Sequence, residues 1–224
     1  MQAEPIAVLW DFDGTMVDTE PLWASTEQEM LAEYGVHWGD EEMLACHGQS
    51  ATVTCQWMAE AAGEPDEGEK WYWALHERIV SHLRRHGLPW LPGARELMAE
   101  MEAAGVRCAV VTASNSYIMA AAKEQLPAAV EFIVTADDVA ETKPNPEAYQ
   151  QAMQRLGVAP DDVLILEDSA PGTAAALASG AFVYAVPSIA NLDDHPRLHR
   201  ADEGLDRISW PELVGLWRAN KGNQ

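Results

Sequence analysis

Positive charge is scarce in this 224-residue chain: 14 lysines and arginines stand against 36 aspartates and glutamates, a formal net charge of −22. Such a surface repels nucleic acid and anionic membranes at long range, so neither is expected as a partner. It repels anionic small molecules as well, so any phosphate site needs local positive charge of its own. Only four lysines are present, Lys70, Lys123, Lys143 and Lys221. Cysteine is nearly as sparse: Cys46, Cys55 and Cys108 are odd in number and show no CxxC spacing. They suggest a reducing compartment rather than a disulfide framework or a zinc site. No apolar run approaches the roughly 18 residues of a membrane span, and Met1-Gln2-Ala3-Glu4-Pro5 lacks the basic-then-apolar pattern of an export signal. The expectation is a soluble cytoplasmic protein, and nothing demands more than a monomer. Internal repeats and low-complexity tracts are also missing.

What is present is a length and an apolar content suited to one large domain, or one domain with an insert. Ile6-Ala7-Val8-Leu9 reads as a buried strand. A helix is expected from Glu20 to about Tyr34, begun by Pro21 and stopped by Gly35. From about residue 38 to 86 apolar residues recur only at helical spacing, which makes this stretch an all-helical insertion. Its tryptophans, at 38, 57, 71 and 73, together with Trp23, are expected mostly in the core of a small helical unit. After Leu91-Pro92-Gly93 the chain alternates. Strands are expected at Arg107–Val111, Phe132–Thr135, Val163–Leu166 and Phe182–Val186, and helices at 93–104, 116–126, 147–156, 171–179 and near 211–219. The segment between 186 and 211 reads as a polar loop. Alternating strands and helices define an α/β fold, a parallel sheet with helices on both faces.

The ends of the apolar strands carry groups that packing does not require. The first runs into Asp11-Phe12-Asp13-Gly14-Thr15, and ligands of open α/β sheets sit beyond the carboxyl ends of strands. Residues i and i+2 of a strand share a face, so Asp11 and Asp13 can start out pointing the same way. Two such carboxylates repel unless a proton or a hard cation such as Mg²⁺ lies between them; an ordinary Asp-Gly turn is the alternative. Thr112-Ala113-Ser114-Asn115 joins a strand to a helix N-terminus, suited to an anion or simply to capping. Lys143, before Pro144, could bridge a phosphoryl group and a carboxylate as a point charge, or be solvated. Glu167-Asp168 ends another apolar strand, where an unpartnered carboxylate is costly. A metal shared with Asp11 removes that cost, and N-capping by Asp168 or Ser169 is the rival. Each bland alternative stands alone comfortably; all four together, in this order, do not.

These residues resemble the haloacid-dehalogenase-like superfamily over the whole chain. Asp11-Phe12-Asp13-Gly14-Thr15, Thr112, Lys143 and Glu167-Asp168 match its four motifs. Asp18-Thr19-Glu20-Pro21-Leu22-Trp23, Lys143-Pro144-Asn145-Pro146-Glu147 and Glu167-Asp168-Ser169-Ala170-Pro171-Gly172 look like its β-phosphoglucomutase and sugar-phosphatase branch. The resemblance implies a Rossmann-like, doubly wound core (1–18 and 88–224) with a small α-helical cap (19–87). It implies Asp11 as the nucleophile that takes up the phosphoryl group and Asp13 as general acid and base. Mg²⁺ would be held by Asp11, the Asp13 main-chain carbonyl and Asp168, with Glu167 mostly supporting them. Thr112 and Lys143 would hold the phosphoryl oxygens, together with the amides of Phe12, Asp13 and Ala113. Gly14, Thr15, Ser114 and Asn115 are further candidates around the phosphoryl group. Trp23, His47 and Gly48 are candidates to meet the leaving group.

Departures choose within the family. By resemblance, true dehalogenases and phosphonatases lack the second aspartate, and Asp13 is present. β-Phosphoglucomutases carry histidine, lysine and arginine where Trp23, His47 and Ala51 stand, so a phosphatase leads over a mutase. A receiver-type phospho-acceptor module also uses an aspartate, a threonine or serine, a lysine and Mg²⁺, but the helical insertion, Asp13 and the chain length argue against it. The expected substrate is a small phosphorylated metabolite, a sugar or polyol phosphate. His82 and His86, four residues apart, have no acidic partner and read as a polar helix face.

Overall fold

The computed structural model describes residues 4–46, 49–186 and 192–221. Nine helices and six strands are found among them. β1 (Ala7–Trp10) is followed by four consecutive helices: α1 (Glu20–Ala32), α2 (Asp40–Cys46), α3 (Ala51–Ala61) and α4 (Gly68–His86). Then come α5 (Ala94–Ala103), β2 (Arg107–Val111), α6 (Ser116–Lys123), β3 (Val130–Val134), α7 (Glu147–Leu156) and β4 (Val163–Glu167). α8 (Ala170–Ala178), β5 (Phe182–Ala185), β6 (Leu198–Arg200) and α9 (Trp210–Lys221) complete the chain.

The strands form one parallel sheet in the order β3-β2-β1-β4-β5-β6. Period-two alternation sorts their side chains into two layers. Val8, Trp10, Cys108, Val110, Leu164 and Leu166 face one cluster, which α5, α6 and α9 cover with Met98, Met101, Met119, Leu213 and Trp217. Ala7, Leu9, Ala109, Val111, Val163 and Ile165 face the other, under Tyr149, Ala152 and Met153 of α7 and Ala175 and Ala176 of α8. This is an α/β, Rossmann-like sheet. β1 lies at its centre, where the order of connection reverses, so the loops after β1, β2 and β4 converge at one point.

The helical insertion holds together through Met30 and Leu31 of α1, Cys55 and Met58 of α3, and Trp71, Leu75 and Ile79 of α4, all buried in the same cluster as the first face of the sheet. Its entry and exit strands run side by side: Asp18 N donates to Pro89 O at 2.8 Å and Leu91 N to Met16 O at 2.9 Å. Gln125, just after α6, clasps the exit, accepting from Leu88 N at 2.9 Å and donating to Leu83 O at 3.0 Å.

Three expectations need correction. Leu198–Arg200 is a strand, although its Leu-His-Arg sequence carries no apolar alternation; the backbone ladder to β5 at the sheet edge holds it. Ile6 is half exposed because the strand begins one residue later. Of the five tryptophans expected as core, only Trp71 is fully buried; Trp23 and Trp38 are partly so, and Trp57 and Trp73 reach solvent. Four helices enclose too little volume to bury so many indoles.

Candidate active site

Lys143 is the centre of the site. Its ammonium is nearly buried and donates to Asp11 Oδ1 at 2.6 Å, to Glu167 Oε1 at 2.6 Å and to the Val111 carbonyl at 3.0 Å. The loop before α7 thus delivers one charge to the ends of β1, β2 and β4 at once. Burial by itself would lower the Lys143 pKa, but Asp11 and Glu167 more than reverse this, and the amine stays charged. The Tyr149 ring lies 5.0 Å from the ammonium, and its hydroxyl donates to Glu167 Oε1 at 3.0 Å.

Glu167 is fully buried, and both its oxygens are engaged. Oε2 accepts from the amides of Asp168 and Ser169, each at 2.9 Å, and from Ser169 Oγ at 3.0 Å. With Lys143 and Tyr149 on Oε1, this carboxylate is fitted to orient its neighbours rather than to ligate an ion. The N-terminus of α8 can come this close only because residue 172 is glycine: a Cβ there would lie 1.7 Å from Glu167 Oε1.

Asp11, Glu167 and Asp168 each bring a carboxylate oxygen within 4.8 Å of the others. Burial raises the Asp11 pKa well above the ordinary carboxylate range; Lys143 opposes this, while Glu167 and Asp168 add to it. Crowded hard oxygen donors of this kind suit a divalent cation with oxygen preference. Gly14, at φ +86°, lets the loop after β1 press against Asp168, where a Cβ would meet Oδ2 at 2.0 Å. Thr15 Oγ1 donates to Asp168 Oδ1 at 3.3 Å.

Asp13 points elsewhere. Thr19 Oγ1 donates to its Oδ1 at 2.5 Å, and Ser114 Oγ and Thr112 Oγ1 donate to its Oδ2 at 2.6 and 3.4 Å. The expectation that Asp11 and Asp13 share a strand face does not hold, because β1 ends at Trp10 and the two residues lie in the loop beyond it. The loop gives Asp11 a cationic partner and Asp13 a set of hydroxyls.

The remaining sequence candidates fall as follows. Phe12 is buried in the core. Ala113 lies between Thr112 and Ser114, and the Ser114 amide donates to Thr112 Oγ1 at 2.9 Å. Asn115 caps α6, accepting from Ile118 N at 3.0 Å, while its Nδ2 donates to Tyr72 Oη at 2.7 Å. It therefore ties the loop after β2 to α4. Trp23 lies edge-on to His76 of α4, with ring centroids 5.4 Å apart. His47 and Gly48 lie outside the described residues. Two residues in contact with the site were not singled out in the sequence, Tyr149 and Tyr72, and Thr19 entered only as part of the Asp18–Trp23 motif, without a role. Thr19 lies just before α1, and the two tyrosines lie on α7 and α4. No local signal separates such residues from packing.

Residues 8–186 match the family model described as haloacid dehalogenase-like hydrolase. Hexitol phosphatase A of Escherichia coli is 33% identical over 197 residues, covering 87% of each chain. Protein CbbY of Cereibacter sphaeroides is 33% identical over 222 residues, 94% of each chain. The crystal structure of CbbY from Rhodobacter sphaeroides in complex with phosphate superposes with a TM-score of 0.75 at 27% identity, covering 90% of this chain and 95% of that one. The chain belongs to the haloacid dehalogenase-like hydrolases. It is an enzyme of that family, with phosphatases among its named relatives.

Proposed function

We propose that this enzyme is a Mg²⁺-dependent phosphatase acting on a small sugar or polyol phosphate through an aspartyl phosphate. The observation that carries this is the buried Lys143 ammonium bonded directly to Asp11, beside the carboxylates of Glu167 and Asp168. An Asp11 oxygen attacks phosphorus while the bond to the leaving oxygen breaks, and Asp13 gives that oxygen a proton. Asp13, now a carboxylate, takes a proton from water, whose oxygen attacks the same phosphorus and frees Asp11 and inorganic phosphate. Thr112 and Lys143 hold the phosphoryl oxygens, with the Ala113 amide beside them. Asp11 and Asp168 would hold Mg²⁺, oriented by Glu167, together with the Asp13 main-chain carbonyl. Bound there, the cation would neutralise the repulsion between Asp11 and the incoming phosphate.

Two further facts favour hydrolysis over transfer to a second phosphorylated site. Within the helical insertion, Lys70 pairs with Glu64 and Arg78 with Glu33 on exposed faces, so neither is poised to receive a second phosphate. The hexitol phosphatase relative hydrolyses by name, and the sugar or polyol assignment rests on that likeness. Purified enzyme with Mg²⁺ is expected to turn over p-nitrophenyl phosphate and members of a sugar phosphate panel. Chelation should abolish turnover, added Mg²⁺ should restore it, and Asp11→Asn should lose it. A stable aspartyl phosphate without turnover would exclude this reading.

A further inference from the structure

Of the ten arginines, eight pair with a carboxylate or lie over an aromatic ring. Among the described residues Arg84 and Arg85 do neither; Arg85 has one neutral contact, donating to Ser81 Oγ at 2.9 Å. Both line the same groove of about 420 Å³ between α4 and α6, with Glu77, Val80, Ser81 and Tyr117. Lys123, in the last turn of α6, is likewise without a carboxylate partner among the described residues. The unpaired cations therefore gather on the two helices that flank one groove. The dipole at the C-terminal end of α4 accounts for basic residues in its last turn. It does not account for the missing counter-charge, since acidic groups outnumber basic ones 36 to 14.

The groove has two chemically different ends, because α4 and α6 run side by side in the same direction. Tyr72 and Trp73 meet Asn115 and Tyr117 near the start, and Leu83 meets Gln125 near the finish. At the first end Tyr117 is exposed and stands edge-on to Trp73, with ring centroids 5.9 Å apart. At the second, about 10 Å along α4 from Glu77, are the two guanidiniums. The buried Val80 and the Ser81 hydroxyl lie between them.

We propose that this groove is a nucleoside monophosphate site, separate from the site around Lys143, with which it shares no residue. Guanidiniums match phosphate oxygens bidentately and stay charged. The exposed tyrosine ring offers a stacking face to the base, and Glu77 and Ser81 accept the ribose hydroxyls between the two. Glu77 also repels a phosphate from the tyrosine end, which fixes the direction of the ligand. The volume falls within the range of small-molecule sites, roughly 300–1,000 Å³. Inorganic phosphate leaves Tyr117 and Glu77 without a partner, and an unphosphorylated nucleoside leaves the arginines without one.

The test is an NMR titration of amides and arginine side chains in the full-length protein without Mg²⁺, using AMP, adenosine and inorganic phosphate. Saturable shifts are expected at Ser81, Arg84, Arg85 and Tyr117 with AMP. Adenosine and phosphate should each bind at those residues at least about 10-fold more weakly. Arg84→Ala combined with Arg85→Ala, and separately Tyr117→Ala, should each weaken AMP by about 10-fold or more, near the value of one base stack. All three side chains are exposed, so these variants should fold. No saturation at these residues below about 10 mM AMP would overturn the proposal. So would AMP shifts confined to residues around Lys143, or inorganic phosphate held in the groove as tightly as AMP. None of these outcomes touches the phosphatase reading, which turnover tests.

Discussion

Asp11 and Asp13 are chemically identical and two residues apart, and their surroundings differ. Asp11 meets a buried ammonium and Asp13 three hydroxyls. Asp13→Ala should therefore slow turnover by about 10²–10⁴, the span of general acid–base catalysis, without preventing Asp11 from being phosphorylated. Trapping a phosphorylated variant by acid quench would check this; an unchanged rate would remove Asp13 from the mechanism. Tyr149→Phe deletes one of five hydrogen bonds to the Glu167 carboxylate, a loss on the order of 1 kcal/mol. Its kcat should fall less than about 10-fold, while Lys143→Met, which removes the cationic side chain bonded to Asp11 and Glu167, should abolish activity. Glu27, buried in α1, adds a pH signature. Its pKa is raised on folding, so the folded state keeps a proton that the unfolded chain releases. Stability is lost as pH climbs from about 4.5 through 7. Between pH 5 and 8 the Tm of Glu27→Gln should rise relative to wild type by roughly 5 °C, on the order of 2 kcal/mol. Parallel melting profiles would contradict the burial argument.

At the level of elements, the junction of β4 and α8 is the most constrained. Glycine-to-alanine within a helix is ordinarily stabilising by up to about 1 kcal/mol. At Gly172 it would drive a methyl into Glu167, which holds both Lys143 and the turn into α8. Gly172→Ala should lower both Tm and kcat, against the intrinsic helix preference; a stabilised, active variant would show that Glu167 has room to move. The contact between α4 and the loop after β2 is of another kind. One hydrogen bond, from Asn115 to Tyr72, joins the insertion to the loop that carries Thr112 and Ser114. Tyr72→Phe breaks it while leaving Asn115 to cap α6.

At the scale of the whole molecule, electrostatics opposes the proposed substrate. A net charge of −22 repels a phosphate monoester over distances comparable with the Debye length, and salt screens that repulsion. Raising KCl from 10 to about 150 mM should therefore increase kcat/KM for a dianionic substrate, the reverse of the usual behaviour of phosphate-binding sites. A decrease would mean that local positive charge around Lys143 dominates the approach path.

The order of strands and helices, the helical insertion and the four polar strand ends were legible in the chain alone. Each depends on local rules: an apolar run makes a buried strand, glycine ends a helix, and charged groups clustered beyond strand ends stand out against an apolar background. The edge strand at Leu198–Arg200 escaped because its stability comes from a neighbour's backbone, not from its own side chains. Tyr149, Tyr72 and the contact of Thr19 with Asp13 escaped for a related reason. Their significance lies in what they touch across sequence separations that residue spacing does not encode. Sequence by itself determined which residues bring charge to the carboxyl edge of the sheet. Only the tertiary structure decided that Lys143 joins Asp11 to Glu167 and that Asp13 turns away toward hydroxyls, because desolvation and hydrogen bonding are set by three-dimensional neighbours.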